Sequence, residues 1–307
     1  MTATLLLLAG ALGCRRAQHH PPRATAPPGA LPITAALAQV PAETATFFFL
    51  DFDRARGQAA WNPLLAGLVR SFGPVLEGVS AGTGFEPTRN VHRLWFALPG
   101  EPDGRFALLA DTDTLDEARL TAWLRARTGD SLAAFVRNHN QIVVGAGAWK
   151  TLMAGLARDD RLSPSAVDNP ELRRLCERVA RDHGVWFASL VSPKIRRALM
   201  EEGRFPEAAS LARVSGHIDL EAGLHLGLVG ELTNTRDGAQ VAHRLLVYLN
   251  QAKRDPEMLV SGLSPYLEAV RIQAQDATVR VSLDVPSVQA ADLVERMEAL
   301  AHQARTK

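Results

Sequence analysis

Paired strand-like segments joined by short turns constrain this chain more than any other feature. His92–Leu98 and Arg105–Asp111 meet through Pro99-Gly100 and Asp103-Gly104; Ala133–Arg137 and Gln141–Gly145 fold over Asn138-His139-Asn140. Leu211–Leu220 and Gly223–Glu231 are joined by Glu221-Ala222, and Ala269–Gln275 and Thr278–Val285 by Asp276-Ala277. Parallel neighbours need a crossover of a dozen or more residues, about the length of a helix, and these turns are far too short. The pairs are therefore antiparallel hairpins. Helical patterns lie between them, so the expected class is α+β: antiparallel sheets with helices packed on one face.

The order of elements repeats. Each half reads strand, helix, two strands, helix, two strands, helix. The first half spans 33–160 and the second 170–307, with the polar segment Arg158 to Pro170 between them. The clearest correspondence is Phe106–Leu156 with Leu224–Leu300. Identity between the halves is low, so the expected duplication rests on element order. Both halves open on an aromatic strand, Thr46–Phe52 (TFFFLDF) and Gly184–Val191 (GVWFASLV). Consecutive rather than alternating apolar residues predict that both faces of Thr46–Phe52 are covered.

Helices are signalled by spacing and caps. Asn62-Pro63 opens a stretch carrying Leu65, Leu68, Phe72, Val75 and Val79, which Gly73-Pro74 should kink. Thr114 and Glu117 are spaced as a capping box for a helix running to about Arg127. Further helices are expected over Trp149–Leu156, Pro193–Met200, Arg236–Asn250 and Ser287–Ala301.

Residues 1–13 read as a lipoprotein signal peptide. The apolar run Thr4 to Gly13 is about half the roughly twenty residues needed to cross a bilayer, which suits a signal h-region. Ala11-Leu12-Gly13-Cys14 places small residues before a cysteine, so Cys14 is the expected lipidation site. Residues 14–32 contain two Pro-Pro pairs and form an extended tether. Together these predict an envelope protein, an outer-membrane lipoprotein facing the periplasm and held to the membrane through lipid on Cys14.

Composition excludes some functions. A net charge of +1 gives no electrostatic footprint for nucleic acid. With Cys14 acylated, Cys176 has no disulfide partner; its place beside Leu172, Leu175 and Val179 predicts a buried, inert thiol.

No nucleophile elbow, phosphate loop or paired-cysteine metal motif occurs, so no enzyme, cofactor or metal is expected. Weaker groupings remain. Asp51, Asp53, Asp111 and Asp113 gather at two strand ends, where carboxylates serve as an acid/base pair, bind calcium or simply occupy turns. His217, Asp219 and His225 fall on neighbouring strands, with Asp219 set opposite His225. They alternate away from Ile218, Leu220, Leu224 and Leu226, hence onto a solvated face. Trp61 and Trp149 stand near helix starts and are the candidate binding residues if half exposed.

Pro41-Ala42-Glu43-Thr44, the apolar strand Thr46–Leu50, the turn Asp51–Arg56 and the phrase Gly84-Phe85-Glu86-Pro87-Thr88-Arg89-Asn90-Val91 carry a resemblance. The chain resembles a family of uncharacterised Gram-negative bacterial lipoproteins with a duplicated α+β domain. Glu86 and Asn90 stand where that family's phrase has Asp. The resemblance spans most of the mature chain and implies no activity. The expected function is a lipid-anchored binding or interaction module with an envelope protein as partner. The alternatives are a carrier of an apolar ligand such as lipid, and a hydrolase of unrecognised type.

Overall fold

The computed structural model describes residues 33–58, 61, 81–101, 103–128, 131–180, 183–201 and 209–306. The expected signal peptide, Cys14, the tether and the stretch carrying Leu65 to Val79 lie outside the described residues. The first half holds strands β1 (Thr44–Asp51), β2 (Val91–Pro99), β3 (Phe106–Thr112), β4 (Leu132–Arg137) and β5 (Gln141–Ala146). The second holds β6 (Val185–Leu190), β7 (Leu211–Asp219), β8 (Gly223–Leu232), β9 (Arg271–Gln275) and β10 (Thr278–Pro286). All ten form one sheet in the order β4-β5-β3-β2-β1-β6-β7-β8-β10-β9. Every pairing is antiparallel.

Counted outward from the centre, the halves follow one order: 1-2-3-5-4 and 6-7-8-10-9. They meet where β1 pairs with β6, Phe49 opposite Trp186. The turns follow local chemistry. Asn138, His139 and Asp276 take positive φ, a region Asn and Asp tolerate better than most residues. Asp219 stands opposite His225, the register expected from the β7–β8 turn.

The described helices are α1 (Ile33–Leu37), α2 (Phe52–Arg56), α3 (Pro87–Asn90), α4 (Glu117–Thr128), α5 (Trp149–Gly155) and α6 (Pro170–Val179), then α7 (Pro193–Glu201), α8 (Asp237–Ala252), α9 (Pro256–Val260), α10 (Ser264–Glu268) and α11 (Ser287–Thr306). None is long and apolar enough to cross a membrane. The start of α4 corrects the capping expectation. The Asp116 carboxylate accepts the Arg119 amide at 3.0 Å, so the cap sits two residues beyond Thr114.

The fold is α+β. One face carries helices in both halves. Leu50, Leu94, Leu108 and Ala110 share a core with Phe52 and Ala55 of α2 and Leu120 of α4; Leu226 and Leu283 share it with Ala290 and Leu293 of α11. Val241 and Ala242 of α8 pack with Leu232 and Val279. A second layer covers the opposite face across β1–β3, β5 and β6. There Phe47, Trp95, Ala97, Leu109, Val143 and Trp186 pack against Leu37 of α1, Trp149 and Met153 of α5, and Leu172, Leu175 and Cys176 of α6. This explains the consecutive aromatics of β1: Phe47 and Phe49 face one layer, Phe48 and Leu50 the other. Cys176 is buried and its thiol is pushed up to about 12, so it stays protonated and inert.

Among the described residues the second core does not extend beyond β6; α6 reaches β7 and β8 through the ion pairs Arg213–Glu171 and Arg178–Glu231, and β7, β8 and β10 present polar side chains on that face. The segment between the halves is not a free linker. It folds back along the chain start, with Leu162 and Ala166 amides donating to Ala38 and Val40 carbonyls at 2.9 Å each.

Candidate functional site

A polar row crosses the sheet where the second core ends. Asp51 pairs with Arg93, Arg93 with Asp111, Asp111 with Gln141, and Gln141 with Arg137. The row spans β1, β2, β3, β5 and β4 in spatial order. Each member continues the inward alternation of its own strand: Arg93 follows Trp95, and Asp111 follows Leu109. The row opens into a cleft of about 760 Å³, walled by Ala35, Ala38 and Gln39 at the chain start and by Asp160 and Arg161 of the segment that folds back. That volume suits a small molecule.

Three groups in the cleft are set for recognition. The Arg93 side chain is 10% exposed, with Nε 3.8 Å from Asp51 Oδ2, beyond hydrogen-bonding distance. Asp111 is held above its usual range by burial, opposed by the Gln141 amide at 3.3 Å and by the charges of Arg93 and His92. Gln39 is 5% exposed, and its Oε1 is buried with no hydrogen-bond partner among the described residues. A buried acceptor left unpaired costs about 1–3 kcal/mol.

His92, also on the cleft wall, bridges two carboxylates. Its Nδ1 lies 2.9 Å from Asp53 Oδ1 and its Nε2 lies 2.9 Å from Asp113 Oδ1. Donating to both requires a proton on each nitrogen, which favours the imidazolium. The Asp53 hydrogen bond is the largest cause raising His92 above 6.5, opposed by burial and aided by Asp113. Asp113 is lowered, first by the Asn90 amide and then by His92. His92 is thus held between two carboxylates that favour its charged form.

The four aspartates read from the sequence divide into two pairs: Asp53 and Asp113 clamp His92, while Asp51 and Asp111 flank Arg93. Sequence reasoning missed His92, Arg93, Gln141 and Gln39. The first three were findable, because the alternation of β2, β3 and β5 carries them into the row. Trp61 and Trp149 are corrected: they are 3% and 1% exposed, so neither is a surface binding residue. Trp61 packs edge-on to Phe52 at 5.6 Å, and Trp149 lies beneath Arg105 at 5.6 Å. Trp149 is buried because the start of α5 packs on the sheet.

A second cluster occupies the uncovered face. The His183 ring stacks on His217 at 3.5 Å with an interplanar angle of 4°, and His183 Nδ1 lies 2.6 Å from Asp219 Oδ2. His225, expected beside Asp219, turns instead to Asp284 at 2.5 Å. Burial, and then the neighbouring His183, push His217 down to about 4.

No family model matches the chain, and no curated protein matches it in sequence. A solved structure of TP0453, in its crystal form I, aligns with a TM-score of 0.46 and 10% identity, covering 87% of this chain and 96% of that one.

Proposed function

We propose that the chain is a lipid-anchored envelope protein of the lipoprotein family it resembles. In this reading it acts as a binding module that takes a small polar ligand in the cleft of the first half. The observation that carries the reading is the nearly buried Arg93 side chain lining the cleft, its Nε 3.8 Å from Asp51 Oδ2. A ligand carrying an acid group would pair with this guanidinium. The charged lining suits a polar guest better than a lipid chain. Cys14, by its position after Ala11-Leu12-Gly13, supplies the anchor, and the tether holds the body off the membrane.

Thermal melts with free amino acids and dipeptides test this. A ligand at one hundred times its Kd stabilises by about 2.7 kcal/mol, a rise of several degrees. That rise should vanish in Arg93→Gln. Amino acids and dipeptides that shift neither protein, or both equally, contradict the reading.

A hydrolase is the second reading, favoured by Asp111, a carboxyl raised by burial within the cleft. It requires turnover that Asp111→Asn abolishes. A binding module shows no turnover in either protein.

A further inference from the structure

We propose that His183, His217 and Asp219 form a site for one divalent ion of the zinc class on the uncovered face of the second half. One ligand atom from each lies within 4.8 Å of the other two. The sheet sets this arrangement. His217 and Asp219 are two residues apart on β7 and share a face. His183 enters just before β6, whose Val185 pairs with Ile218, so it arrives beside Asp219. Gly227 of β8 stands opposite His217, and a Cβ there would lie 2.3 Å from the ring. The imidazole therefore lies flat over bare backbone.

A simple His–Asp pair accounts for His183 and Asp219 but not for His217. Among the described residues His217 makes no hydrogen bond through its ring, although it is stacked directly on His183. Two imidazoles and a carboxylate are the donor set that zinc-class ions prefer, with water as the usual fourth ligand. Zinc-class bonds of about 2.0–2.2 Å hold tetrahedral ligands roughly 3.4 Å apart. The three groups must close by no more than about 1.4 Å from the 4.8 Å limit, a side-chain adjustment. Two rings bound to one ion cannot remain flatly stacked, so binding turns them apart. His225, opposite Asp219 on β8, is engaged with Asp284.

Calorimetric titration of the chelator-stripped full chain with zinc sulfate tests the proposal. One equivalent should bind. His217→Ala and Asp219→Asn should each weaken binding at least tenfold, on the scale at which even outer partners of metal sites act. His19→Ala/His20→Ala in the tether should leave it unchanged. Manganese- or copper-induced broadening in the unaltered protein locates the ion without any variant. It should selectively erase the ring signals of His183 and His217. Absence of a one-equivalent site overturns the proposal. So does zinc binding that survives His217→Ala and disappears with the tether variant, or broadening that spares both rings.

Discussion

Arg93 is the nearly buried cation of the polar row, with Asp51 and Asp111 on the strands either side of it. Replacing it with Gln leaves those two carboxylates without the cation between them. Arg93→Gln should lower stability by about 1–3 kcal/mol in urea unfolding. The further change Asp111→Asn should recover part of the loss. His92 makes a pH prediction. Its folded pKa lies above 6.5, so its contribution to stability is complete below about 6.5. That contribution fades as pH rises through the folded value. His92→Gln should flatten this part of the stability profile, and imidazole proton shifts should place the His92 titration above 6.5. Asp51 and Asp111 were legible because strand ends are visible in the sequence. Gln39 was not, because its burial depends on residues 158–168 folding back over the chain start. That contact is long-range and has no local signature. The His183–His217 stack was equally hidden: it joins a loop to a strand more than thirty residues away.

At the scale of elements, packing of α5 on β5 decides whether the second core closes. Gly145 faces Met153, and an added Cβ would lie 2.6 Å from Met153 Cβ and 3.1 Å from the Trp149 carbonyl. The helix backbone itself must move, not only a flexible side-chain end. Gly145→Ala should cost about 1–3 kcal/mol by overpacking, measured as a fall in the denaturation midpoint at unchanged slope. The hairpins were readable because two- and three-residue turns fix register, as the Asp219–His225 pairing shows. The second helical layer was not, because α1, α5 and α6 are short and their apolar residues do not say which face they cover. The α4 start was misplaced for a related reason. Thr114 and Asp116 both fit a cap, and tertiary placement of the strand end selects between them.

At the scale of the molecule, one sheet joins halves that the sequence presents as separable. The seam is aromatic: Phe47 lies 6.0 Å from Trp186, and Phe49 lies 5.5 Å from Trp95 and 5.6 Å from Trp186. Such pairs add roughly 0.5–1.5 kcal/mol each beyond burial. Phe47→Ala should cost about 3–5 kcal/mol. Hydrogen exchange should accelerate together in β2–β3 and β7–β8, whereas independent halves would respond on one side only. The shared strand order is what duplication of a five-stranded unit would leave, and the halves differ by face. The first keeps a layer of helices and a cleft at its rim; among the described residues the second presents polar side chains there. The proposed function joins an anchor on Cys14 to a cleft that holds a small polar molecule. Native mass spectrometry of protein extracted from its own membranes tests both parts at once. The account predicts an acylated Cys14 with residues 1–13 removed, and a small noncovalent adduct that is lost in Arg93→Gln. An intact, unmodified segment through Cys14, with one bare mass for both proteins, would contradict it.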